Sequence, residues 1–279
     1  MQLQLQQLSA RHPAAKNDSI PALRGTSIDI ESGEQVAVIG PSGAGKTTFL
    51  HAVACALKPS GGQVLIAGQD PWTLARPALQ RLRGSLFLAP QVPPLPPRQR
   101  VVTAVLAGQL PQMNLVQSLR SLFYPSDIPA AINALKAFDL DEKIFERVDR
   151  LSGGERQRVG LARLFASSAK LWLIDEPLSA LDPTRSTQAL QVLTLAARER
   201  SATLVCSLHQ VERALEAFPR IIGLRDGEVA FDLPSSDVTP ERLSALYAQH
   251  EHELFGPAPV NEFPEQNVQP GQPAVMHCR

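Results

Sequence analysis

The run Gly40-Pro41-Ser42-Gly43-Ala44-Gly45-Lys46-Thr47 leaves this chain few folds to choose from, because of what stands on either side of it. Before it, Gln35-Val36-Ala37-Val38-Ile39 is short and almost wholly apolar, the pattern of a strand buried on both faces. After it, Phe49, Leu50, Val53, Ala54 and Leu57 recur at helical spacing. A buried strand that enters a glycine loop and leaves as a helix predicts an α/β sheet with helices on its faces. Glycines let such a loop turn backbone N–H groups around an anion, while the helix behind it aims its positive end at the same point. In a loop of this kind Lys46 reaches the outer phosphates of a nucleotide and the Thr47 hydroxyl binds Mg²⁺, with Thr48 beside it at the helix start.

Two further stretches carry chemistry. Leu171-Trp172-Leu173-Ile174-Asp175-Glu176 is a second buried strand, and it delivers two carboxylates at its C-terminal end, where α/β ligands sit. There Asp175 would hold Mg²⁺, directly or through water, and Glu176 would orient the attacking water and take its proton. Alone, such a pair is more often a solvated strand end; the motifs around it reverse that judgement. Between loop and strand lies Leu151-Ser152-Gly153-Gly154-Glu155, where Ser152 and the N–H groups of Gly153 and Gly154 open a helix and form a second anion site.

Phosphate loop, LSGGE and an apolar run ending in Asp-Glu, in that order, resemble the ATP-hydrolysing subunit of an ABC transporter over residues 1–250. The resemblance implies a P-loop ABC ATPase core, a mixed sheet with flanking helices, plus an antiparallel β subdomain and a helical subdomain at about 90–165. It implies that Gln91 senses Mg²⁺ and the water, that His209 contacts the γ-phosphate and that Asp182, in Ser179-Ala180-Leu181-Asp182, lies on a loop crossing a dimer interface. It also implies that Ser152, Gly153 and Gly154 complete the ATP site of a second copy of the chain, so that two ATP molecules are sandwiched between subunits. His12 falls where many relatives carry an aromatic residue that stacks on adenine.

Within the family the chain is most similar to the ATPase subunit of phosphonate importers, on the strength of Val101-Val102-Thr103-Ala104-Val105-Leu106-Ala107-Gly108, Leu208-His209-Gln210-Val211-Glu212 and the Arg-Ser-Leu-Phe within residues 118–125. The partners implied are an integral membrane permease and, through it, a periplasmic solute-binding protein, with the chain peripheral on the cytoplasmic face of the inner membrane. Two departures stand out: Gln91 is followed by Val92-Pro93-Pro94-Leu95-Pro96-Pro97 rather than an aromatic-containing stretch, and residues 251–279 carry Pro257, Pro259, Pro264, Pro270 and Pro273 without periodicity, as a mobile extension would. A soluble ABC-type ATPase of a phosphonate-degrading complex is the alternative. A nucleic-acid-repair ATPase is disfavoured, since such proteins carry a long coiled-coil insertion.

Bulk properties agree with these expectations. Lys plus Arg and Asp plus Glu are both 27, a balance that argues against binding nucleic acid or anionic membranes through net charge. No window approaches the ~18 apolar residues of a membrane span, so a membrane role must come through a partner. Cys55, Cys206 and Cys278 are far apart and read as reduced thiols. Alternation at residues 2–8 predicts a half-buried strand paired with 26–30, and Arg225-Asp226-Gly227 predicts a hairpin between 221–224 and 228–232.

Overall fold

The computed structural model describes residues 1–11, 20–125, 127–248, 250 and 253. Strand β1 (Leu3–Ala10) pairs antiparallel with β2 (Leu23–Ile30), Leu3 lying opposite Ile30, as the alternation predicts. Strand β3 (Gln35–Ile39) runs through the glycine loop into helix α1 (Lys46–Val53), and β4 (Gly61–Ile66) then returns to the free edge of β1. The result is a small antiparallel sheet of order β2-β1-β4.

From about Arg76 to Ala166 the sequence pattern reads as mostly helical, and here the structure differs. Helix α2 (Arg76–Gly84) is followed by a strand, β5 (Leu86–Ala89), before the helices α3 (Val101–Leu106), α4 (Leu115–Phe123), α5 (Ile128–Lys136) and α6 (Gly153–Phe165). Four residues are too few to display a period, and β5 owes its conformation to parallel pairing with β6 (Leu171–Asp175) rather than to local pattern. The remaining elements are α7 (Pro183–Glu199), β7 (Thr203–Ser207), α8 (Val211–Ala217), β8 (Arg220–Arg225), β9 (Glu228–Pro234) and α9 (Pro240–Leu246). The β8–β9 hairpin turns at Asp226 and Gly227, both with positive φ (50° and 81°), as the predicted Asp-Gly turn requires.

The main sheet has the order β5-β6-β7-β3-β8-β9, and every pair except β8–β9 is parallel. Its central strands β3, β6 and β7 are buried on both faces, which explains their lack of alternation. Val36 and Val38 of β3 face a core shared with the small sheet and α1, while Ala37 and Ile39 face a core built with α3, α5, α6, α7 and α8. Trp172, fully buried on β6, belongs to the second core and donates its indole N–H to the Ala169 carbonyl at 2.9 Å. Among the described residues no helix is long and apolar enough to cross a membrane. Parallel strands have one consequence for chemistry: the C-terminal ends of β3, β5, β6 and β7 emerge along one edge, where their loops meet.

Candidate nucleotide-binding and catalytic site

At that edge an open pocket of about 640 Å³ is lined by Ser42 to Thr48 of the loop after β3, by Ala22, and by Gln91, Glu176 and His209 from the ends of β5, β6 and β7. The loop's shape is set by backbone it could not otherwise adopt. Gly40 has φ 150°, and a Cβ there would lie 2.0 Å from the Leu224 carbonyl oxygen. Gly45, with φ 101°, precedes α1 and leaves its first N–H groups without a side-chain cap. Those donors and the helix dipole suit an anion. Lys46 is buried beneath them and donates its ammonium to the carbonyls of Gly40 (2.7 Å) and Pro41 (3.2 Å). Burial pushes the Lys46 pKa down, and the carboxylates of Glu176, Glu253 and Asp175 pull it back up. Pro41 and Thr48 are buried against the loop, whereas Thr47 is exposed to the pocket.

Opposite the loop, Glu176 is the centre of a hydrogen-bonded group. Its Oε1 lies 2.6 Å from His209 Nε2, and its Oε2 accepts from Gln91 Nε2 at 2.8 Å. The backbone of Glu176 is left-handed, with φ 47°, a conformation non-glycine residues adopt at a cost and one that clusters at functional sites. Asp175 is almost wholly buried and accepts a hydrogen bond of 2.5 Å from the Ser207 hydroxyl. That same Ser207 oxygen accepts from the Glu176 N–H at 3.0 Å. The end of β7 thus fixes both acidic residues at the end of β6. Sequence reasoning passed over Ser207, although its place at the last position of an apolar strand was a usable signal.

The remaining predicted residues lie elsewhere. Ser152, Gly153, Gly154 and Asp182 do not line the pocket. Ser152 caps α6: its hydroxyl accepts from the Glu155 N–H (3.2 Å) while Glu155 accepts from the Ser152 N–H (2.7 Å), closing a capping box. Those bonds, the one from the Ser152 backbone foremost, hold the Glu155 carboxyl below the usual range. Gly154 faces the loop before α7, where a Cβ would lie 2.8 Å from the Ala180 carbonyl oxygen. Asp182 is the N-cap of α7, accepting from the Arg185 N–H at 3.0 Å. His12 lies outside the described residues.

Two more features border the site. The loop after Gln91 presses Pro93 onto α6, where a Cβ on Gly160 would come within 2.7 Å of the proline ring. That contact forms part of a largely apolar groove of about 220 Å³, walled by Phe87, Pro94, Leu95 and Pro111, with Gln157 and Arg163 also lining it. From the other side, Tyr247 and Glu253 accept hydrogen bonds from the N–H groups of Gly40 and Ser42.

Comparison with known proteins gives this geometry its context. Residues 23–179 match the family model described as ABC transporter. The chain belongs to the ABC transporter family. It is 66% identical, over all of both chains, to the phosphonates import ATP-binding protein PhnC of Polaromonas sp., and 64% identical, again over all of both, to PhnC 2 of Albidiferax ferrireducens. PhnC of Pseudomonas fluorescens is 48% identical over 93% of this chain and 96% of its own. Among solved structures, the ATP-binding cassette MJ0796, a dimer in a post-hydrolysis state bound to ADP and Pi, superposes with a TM-score of 0.73 at 29% identity, covering 84% of this chain and 98% of that one. CbiO1 of Clostridium perfringens shares the fold, with a TM-score of 0.70 at 22% identity over 88% of this chain and 93% of its own. As an ABC ATPase the protein binds and hydrolyses ATP, and the glycine-loop pocket with Glu176 beside it is the place in this chain suited to both.

Proposed function

We propose that this ABC ATPase drives the import of a phosphonate or a related phosphorus oxyanion through a membrane permease, hydrolysing ATP at the interface of two copies of the chain. The observation that carries the reading is the meeting of Gln91, Glu176 and His209 beside the glycine loop in a chain whose full-length relatives bear the name of phosphonate import ATP-binding proteins. Gly40, Pro41, Ser42, Gly43, Ala44, Gly45 and Lys46 cradle the phosphates, with Thr47 and Thr48 at the start of α1. Glu176 orients the attacking water and takes its proton, and His209, bonded to the same carboxylate, reaches the γ-phosphate. The alternative, a soluble ATPase of a phosphonate-degrading complex, is not favoured, because those relatives are named for import.

Hard oxygen donors are what Mg²⁺ takes, usually one or two carboxylates beside substrate phosphates and water. Thr47, Gln91 and Asp175 offer such a set. Bound there, Mg²⁺ would neutralise charge developing on the phosphates. Ser152, Gly153 and Gly154, which do not line their own chain's pocket, face the nucleotide of the second copy, with Asp182 at the same interface. ATP then binds the closed pair better than the open one, the differential interaction that any ligand-driven motion needs. A periplasmic binding protein supplies the solute, and the chain sits on the cytoplasmic face of the inner membrane through its permease.

Co-expression with the candidate permease tests the proposal. The two should co-purify from membranes, and an alkylphosphonate with its binding protein should raise ATP turnover in reconstituted vesicles. ATPase activity confined to a membrane-free assembly that cleaves carbon–phosphorus bonds would replace import with the alternative.

A further inference from the structure

Helix α9 packs on β8, which lies on the far side of β3 from β6 and β7. Tyr247, fully buried at the end of α9, accepts a hydrogen bond from the Gly40 N–H at 3.2 Å. Arg225 secures the helix end by donating to the Ala245 carbonyl. Beyond Tyr247, the His250 N–H donates to the Tyr247 carbonyl (2.7 Å) and the Glu253 N–H to the His250 carbonyl (2.8 Å). The Glu253 carboxylate accepts a hydrogen bond from the Ser42 N–H at 2.8 Å. Glu253 does not line the nucleotide pocket, yet its charge is felt at Lys46.

A fixed anion here is unexpected. The loop's N–H groups, the dipole of α1 and Lys46 together make a field that favours negative charge, and a carboxylate bonded to the loop offsets part of it. We propose that Glu253 sets nucleotide affinity: it is a built-in negative charge that opposes the triphosphate, weakening ATP more than ADP because ATP carries more charge. The proposal rests on the assignment of the glycine loop as the ATP site. Glu253 acts through the loop and is not a catalytic residue. Tyr247 holds the segment in place without charge of its own.

Fluorescence titrations of the full chain with ATP and ADP, in Mg²⁺, test this with Glu253→Gln and, as a second variant, Glu253→Ala. Both should tighten ATP by about three- to ten-fold, the scale of one charge acting through a partly solvated path. ADP should tighten less. Raising salt should shrink the gap between variant and wild type, since a screened charge repels less. Tyr247→Phe keeps the ring but loses the hydroxyl bonded to Gly40, and should shift the ATP-to-ADP ratio less than either Glu253 variant. Unchanged or weaker ATP binding in both Glu253 variants, with normal binding by the wild type, would overturn the inference alone; it would show a brace rather than an opposing charge. Wild-type protein that binds no ATP would overturn the ATP-site assignment and the inference together.

Discussion

Two loops of this protein place glycines at the start of a helix, and they use them for opposite ends. In the loop before α1, Gly40, Gly43 and Gly45 all have positive φ, and the helix start carries neither a side-chain cap nor an acidic residue in its first turn. The donors at the helix start are left open, whereas those of Gly40 and Ser42 further back in the loop bond Tyr247 and Glu253. In the loop before α6, Gly153 and Gly154 are ordinary helical residues, and Gly154 is small because the Ala180 carbonyl leaves no room for a Cβ. There Ser152 and Glu155 bond each other's N–H groups, so the loop's donors are partly tied within the chain. Glycine therefore encodes a ligand cradle in one loop and close packing in the other. The first lines the glycine-loop pocket of its own chain, whereas the second does not.

The sharpest test of that division concerns the residue facing the first loop. Glu176→Gln keeps shape but removes the carboxylate, and ATP turnover should fall by ~10²-fold or more, the usual scale for losing a positioned base. ATP should still bind and should trap a dimer visible by size-exclusion chromatography. Near-normal turnover would remove Glu176 from its role.

Next come the glycines themselves. Gly40→Ala meets both backbone strain and a carbonyl oxygen, each worth about 1–3 kcal/mol, so the melting temperature should fall by roughly 5 °C or more. Gly154→Ala meets only the overlap with Ala180, partly offset by alanine's better helix propensity, and should cost about 1–2 kcal/mol, less than Gly40→Ala. Equal losses in thermal melts would break the distinction between a glycine needed for conformation and one needed for space.

Ser152→Ala removes a helix cap, a loss of about 1 kcal/mol, and should slow hydrolysis while the isolated chain binds ATP as before. If monomer affinity fell as far as turnover, both loops would serve one pocket. The smallest effect is a response to acid. Because the folded-state pKa of Glu155 is depressed, its contribution is fully present above the unfolded value, about 4.3, and is lost as pH falls through the folded value. Glu155→Gln should thus be less stable than wild type near neutrality, and the difference should vanish in acid. A melting-temperature difference constant across that range would deny Glu155 this role.

What the sequence revealed follows the reach of each signal. The strand, loop and helix around Gly40 to Thr47 are legible because period and glycine placement are local, and the Asp-Gly hairpin is legible for the same reason. Gln91 and His209 are readable only through family resemblance, since a lone glutamine or histidine carries no pattern; the structure brings both to Glu176. β5 was missed because its conformation comes from a strand more than eighty residues away in sequence. Tyr247 and Glu253 left no trace for a like reason, as each meets the glycine loop across most of the chain's length. Asp182 could have been read as a helix cap as well as an interface residue, for an Asp followed by Pro183 is a common helix start.

Pro93 and Gly160 are, in effect, a single heritable character written at two places. The ring of one stands where the Cβ of the other would go, so residue 160 cannot gain a side chain while residue 93 keeps its ring. A lineage that enlarged residue 160 would first have to shrink residue 93, and the order of those steps is imposed by geometry. A double-mutant cycle with Gly160→Ala and Pro93→Ala reads the constraint directly, because the second change should recover part of what the first loses. The proline-rich loop after Gln91 thus fits the absence of a side chain on the helix it touches.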